Sequence, residues 1–128
     1  MAEIFVFRSD EAPKLNYRAI HTLFAELGLE QGLCVFERIL HEVSDRLCQL
    51  ELAINEGNIR TVRYAASRLR TLGPQIGLEC LAYIAGEIID VIAREDMNAL
   101  PVICHRMICL GEVCMFQLSS LPRVLDDR

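Results

Sequence analysis

Ala65-Ala66-Ser67-Arg68-Leu69-Arg70-Thr71-Leu72-Gly73-Pro74-Gln75-Ile76-Gly77-Leu78 is the stretch whose reading decides the fold. Just before and within it, Ile59, Val62, Ala66 and Leu69 recur at the spacing of one helix face. A helix is therefore expected from about Ile59 to Gly73. Asn58, after Gly57, is a candidate N-cap, because its side chain can accept a hydrogen bond from a free first-turn N–H. Gly73-Pro74 should kink or end the helix, since Pro74 has no N–H to donate. On the opposite side, Arg60, Arg63, Ser67 and Arg70 recur at steps of three, four and three, which places them in one stripe. Arg68 falls nearer the flank.

Working outward, the preceding segment has the clearest periodicity. Leu33, Phe36, Leu40, Val43, Leu47, Leu50 and Ile54 form one apolar seam, predicting a helix from about Glu30 to Glu56. A shorter helix is expected near Lys14–Leu27, ended by Gly28, which tolerates the left-handed conformation after a helix. Ile4-Phe5-Val6-Phe7 reads as a short strand or an ordered tail. Downstream, Leu78–Arg94 is expected to be helical with Leu78, Leu81, Ala85, Ile88 and Ile92 inward. A break at Glu95-Asp96-Met97-Asn98 leads to a last helix, about Ala99–Ser119. The fold expected is all-α: an up-down-up-down four-helix bundle with a short additional N-terminal helix. The single domain would span 14–121, between tails 1–13 and 122–128.

The last helix is apolar around most of its circumference, through Val102, Ile103, Met107, Ile108, Leu110, Val113, Met115, Phe116 and Leu118. Ile84, Ile89 and Val91 lie off the expected seam of the helix before it. A helix apolar all round needs cover on more than one side. The short N-terminal helix, or a second subunit in a homodimer packed on the last helix, would supply it.

The chain of 128 residues is 52% hydrophobic and carries a net charge of −5. A single domain with its own core is expected. The acidic balance argues against nucleic acid as the main partner. No run of apolar residues reaches the length of a membrane span, and the start of the chain has no basic region followed by a long apolar one. A cytoplasmic protein without a membrane role is the expectation.

The six cysteines are Cys34, Cys48, Cys80, Cys104, Cys109 and Cys114. Cys104, Cys109 and Cys114 are five apart, so each turns about 140° from the last and they share no metal-binding face. They read as small buried apolar residues in a reducing compartment. His21, His41 and His105 are single residues on three helices, with no pair at metal-ligand spacing. They read as structural, and no metal or cofactor is expected. Glu87 and Asp90 read as a solvated face rather than a catalytic pair, so no enzymatic activity is expected.

The stretch Ala66-Ser67-x-Leu69-Arg70, followed by Ile76-Gly77-Leu78, resembles the active-site helix of histidine-containing phosphotransfer (HPt) domains, whose mark is Ala-His-x-Leu-Lys-Gly with a later Leu/Ile-Gly. The resemblance covers roughly Leu29–Leu118, including the Gly28-Leu29 opening and the Gly57-Asn58 turn. It implies a four-helix bundle of bacterial two-component signalling that docks onto a response-regulator receiver domain or a histidine kinase. The phosphoacceptor histidine falls on Ser67. The family's lysine or arginine falls on Arg70, a chemical match. Its glycine, which leaves room for the docking receiver, falls on Thr71, which should crowd the approach.

Loss of the histidine removes the chemistry. Imidazole, with a pKa of about 6.5, is largely neutral and nucleophilic at pH 7. A serine hydroxyl needs an activating base, and the helical neighbours of Ser67 (Arg63, Tyr64, Arg70, Thr71) include none. The resemblance thus implies a domain that docks through Arg60, Arg63, Arg70 and Thr71 without passing phosphate. The alternative is a homodimeric helical protein working through its last helix, with no link to phosphorelay.

Overall fold

The computed structural model describes residues 15–119. Ile4–Phe7, Lys14 and the ends of the chain, including both expected tails, lie outside the described residues. Within them the chain is all-helical: α1 (Tyr17–Leu27), α2 (Leu29–Glu56), α3 (Ile59–Leu72), α4 (Glu79–Ala93) and α5 (Leu100–Ser119), with a 3-10 turn at Gly73–Ile76 between α3 and α4. The helix limits fall within one residue of those expected, apart from the start of α1, which lies at Tyr17, three residues after the expected Lys14, because the chain is not yet helical at Leu15 and Asn16.

Local chemistry sets the boundaries. The Asn16 side chain accepts from Arg18 N at 3.1 Å and starts α1. Gly57, at φ 72°, takes the left-handed conformation that ends α2 and lets its N–H reach the Ala53 and Ile54 carbonyls. The Asn58 side chain accepts from Thr61 N at 3.2 Å and opens α3. Pro74 does not kink α3. The α-helix stops at Leu72, and the chain tightens into the 3-10 turn, closed by Leu78 N donating to the Gly73 carbonyl at 2.8 Å.

Each of α2, α3 and α4 packs on the next helix in sequence, and α5 returns to pack on α2; α1 lies on α2 and the 3-10 turn. The core is one cluster of apolar side chains, with Phe36, Val43, Leu50, Val62, Leu69, Ile76, Leu81, Ile88, Met107 and Leu118 almost wholly buried. At about 25 cal/mol per Å² of apolar surface, this burial is the main favourable contribution to the fold.

The inward face of α4 is wider than the sequence suggests. Ile84 and Val91 are buried along with Leu81, Ala85 and Ile88, whereas Ile92 is only half-buried. The reason is that α4 packs against both α3 and α5, so its buried arc spans two interfaces. The same applies to α3, where Ala65 and Leu72 join Val62, Ala66 and Leu69 in the core, and Ile59 is half-buried.

On α5, Leu100, Cys104, Met107, Leu110, Gly111, Cys114 and Leu118 face inward, while Val102 and Phe116 are 69% and 78% exposed. Over its best eighteen-residue window the mean hydropathy is 1.3, so by length and composition α5 is apolar enough to cross a membrane. Its inward residues belong to the shared core.

Candidate functional site

The site is built on the outer face of α3. This helix lies between α2 and α4 and buries Val62, Ala65, Ala66, Leu69 and Leu72 against them. That fixes its rotation. Arg60, Arg63, Ser67, Arg70 and Thr71 are consequently all exposed. The stripe expected from spacing is a physical surface, backed by the short side chains of Ala65 and Ala66.

The four arginines of α3 divide into two groups. Arg68 is held by Glu42 of α2, through Nη2 at 2.9 Å and Nε at 3.2 Å to the same carboxylate oxygen. Hydrogen bonding to Glu42, and then its negative charge, raise the Arg68 guanidinium pKa further. Arg60, Arg63, Arg70 make no ion pair among the described residues. So Arg68 ties α3 to α2, and the other three present uncompensated charge to solvent around Ser67. On the neighbouring α2, the guanidinium carbon of Arg46 lies 5.9 Å from the centroid of the exposed Tyr64 ring of α3.

Thr71 and Ser67 are linked through the helix. The Thr71 hydroxyl donates to the Ser67 carbonyl at 3.2 Å, and Gln75 Nε2 donates to the Thr71 carbonyl at 3.1 Å. The Thr71 oxygen is turned onto the backbone, leaving it no role as a base for Ser67. Beyond Arg70 a shallow groove runs between α3 and α4, lined by Arg70, Pro74, Glu79, Tyr83 and Glu87.

The acidic pair of α4 is engaged in ion pairs: Glu87 with Arg106 of α5 at 3.4 Å and Asp90 with Arg94 at 3.2 Å. Among the described residues, no three His, Cys, Asp or Glu side chains converge as a metal ion would need.

His21, His41 and His105 are all exposed. His41 lines a groove between α2 and α5 with Glu37, Leu40, Ser44, Met115 and Ser119, and His105 Nε2 lies 3.4 Å from Cys109 Sγ. A helical histidine beside an apolar seam can point outward at the seam's edge. The expectation that the cysteines are buried requires correction: Cys104 and Cys114 are, Cys80 and Cys109 are partly so, and Cys34 and Cys48 face solvent, since half of a helix's circumference does.

Sequence reasoning also missed a sulfur pair. Cys80 of α4 and Cys114 of α5 bring their Sγ atoms to 4.0 Å. The hydrogen bond from Cys114 lowers the Cys80 thiol pKa to about 7, against an opposing effect of burial. The same contact, followed by burial, pushes Cys114 up, and burial alone pushes Cys104 up to about 11. The two residues are far apart in the chain and on different helices, so no spacing could have announced the contact.

Comparison with protein-family models, with curated proteins and with solved structures matches this chain to no family, relative or known structure.

Proposed function

We propose that this chain is a degenerate HPt-like docking domain of two-component signalling, which binds a receiver domain or a histidine kinase without exchanging phosphate. On this reading α2–α5 form an up-down-up-down bundle, with α1 as the additional helix. The pairing of successive helices and the return of α5 onto α2 support that arrangement. The protein is cytoplasmic and not an enzyme, and its effect on its pathway comes from occupying a surface.

One observation carries the reading. Ser67, to which the resemblance assigns the phosphotransfer histidine, stands exposed between Arg63 and Arg70, over buried Ala66 and Leu69. Receiver domains surround their phosphorylated aspartate with acidic side chains, and three free guanidinium groups on a flat helical face complement such a pocket. The affinity of receiver domains for the wild type and for the double variant Arg63→Glu, Arg70→Glu tests it. The double reversal should abolish binding while the helical circular dichroism is unchanged. Equal affinities would remove this surface from consideration.

A second reading is a homodimer through α5. It is favoured by the exposure of Val102 and Phe116 and by the groove against α2 lined partly by Ile108 and Met115. A mass that stays monomeric across a hundredfold range of concentration would dispose of it.

A further inference from the structure

We propose that Cys80 and Cys114 are an oxidant-responsive thiol pair, in which Cys80 is oxidised by a hydroperoxide and Cys114 resolves the product to an intramolecular disulfide. The inference is independent of the docking reading.

Geometry comes first. The two Sγ atoms are 4.0 Å apart, and a disulfide needs about 2.05 Å, a gap for side-chain rotation on two packed helices to close. The helices already pack against each other. The two sulfurs also differ in access. Cys80 is partly exposed, whereas Cys114 is wholly buried. An attacking sulfur must meet the oxidant, and a resolving sulfur need only meet its neighbour.

The surroundings set the roles. Cys80 is the second residue of α4, where the positive end of the helix dipole and unsatisfied N–H groups favour a thiolate. Its lowered pKa agrees with that position. Cys114, pushed the other way, stays a thiol and donates to Cys80. Cys34 and Cys48 are open to solvent but have no second sulfur beside them among the described residues. Cys104 is buried and kept protonated.

The steps balance. The Cys80 thiolate attacks one peroxide oxygen, the O–O bond breaks, and the departing hydroxide or alkoxide takes up a proton. This leaves Cys80 as a sulfenic acid. The Cys114 sulfur then attacks the Cys80 sulfur, its proton joins the leaving hydroxyl, and water departs. Two thiols and one hydrogen peroxide give one disulfide and two waters. The link bolts the first turn of α4, beside the groove formed by Arg70, Glu79 and Tyr83, to the last third of α5.

The test is intact-mass and non-reducing peptide analysis of the whole chain after stoichiometric hydrogen peroxide. The expected result is a monomer lighter by two hydrogens, a Cys80–Cys114 cross-linked peptide, and reversal by dithiothreitol. Cys80→Ser, at a partly exposed position, should show no such mass loss. Cys114→Ala should instead accumulate a sulfenic acid at Cys80, trapped by dimedone. A wild-type monomer that keeps all its thiols, or a cross-link joining other cysteines, would overturn the proposal without touching the docking surface.

Discussion

The backbone N–H of Asn16 donates to the Gly77 carbonyl at 2.9 Å, and the Asn16 carbonyl oxygen occupies the place where a Gly77 side chain would have to go. Gly77 is also at φ 81°, a conformation that L side chains rarely adopt. The Asn16 amide donates to Glu79 at 2.8 Å as well. The start of α1 is thereby fastened to the turn that ends the candidate site helix. Gly77→Ala should cost at least about 2 kcal/mol, from strain together with the lost backbone contact. For a chain of this size that lowers Tm by roughly 6–10 °C. An unchanged Tm by differential scanning calorimetry would contradict this account of the turn.

Arg68 and Arg70 are two residues apart and should behave in opposite ways. Arg70 faces solvent with a free charge; Arg68 is occupied by Glu42. Arg70→Ala should weaken docking and leave stability alone. Arg68→Ala should leave docking nearly intact and cause a small loss of stability that salt diminishes, as for other partly exposed ion pairs. Isothermal titration of a bound receiver, paired with thermal melts, separates the two. Equal losses of affinity would mean that charge acts through the general field of α3 and not through its outer stripe.

Cys104 gives the protein an alkaline limit. Burial raises its thiol from 9.0 to about 11. The folded chain therefore keeps a proton that the unfolded chain releases, so the stability contribution is fully present below pH 9 and is lost as pH rises towards 11. The loss should amount to roughly 2 kcal/mol over that window. Denaturant unfolding between pH 8 and 11 should show a steeper fall for the wild type than for Cys104→Ala. Parallel curves would show that this thiol titrates normally.

If copies of the chain associate, α5 is the surface expected to do it. Ile108 and Met115 are half-buried and border the grooves on α2, so they bear on any contact made there. Met115→Glu should dissociate a dimer, as read by sedimentation equilibrium. Dissociation caused instead by Arg63→Glu would place the contact on α3.

Much of this architecture could be read from the chain. A helix buried on one stripe writes its period into the sequence, so the centre of the α2 seam (Phe36, Val43, Leu47, Leu50) and its end at Gly57 were plain, while Leu33, Leu40 and Ile54 lie half-buried at its edge and Ile39 and Ala53 are buried in their stead. The exposed stripe of Arg60, Arg63, Ser67 and Arg70 was legible for the same reason. The breadth of the α4 interface was not, because periodicity reports one face and Ile84 and Val91 serve a second. Contacts between separate helices leave no such period. The Glu42–Arg68 pair, the Cys80–Cys114 pair and the approach of Asn16 to Gly77 depend on how helices are placed beside one another.

The most direct test of the central claim reads binding and phosphate together. The chain is mixed with each phosphorylated, radiolabelled receiver domain of its source organism, and complexes are separated by size. The account predicts that at least one receiver co-elutes with the chain, that the chain carries no label, and that Arg63→Glu with Arg70→Glu abolishes co-elution. An acid-labile label on the chain would show that one of its histidines accepts phosphate after all, and the absence of any receiver complex would contradict the docking claim itself.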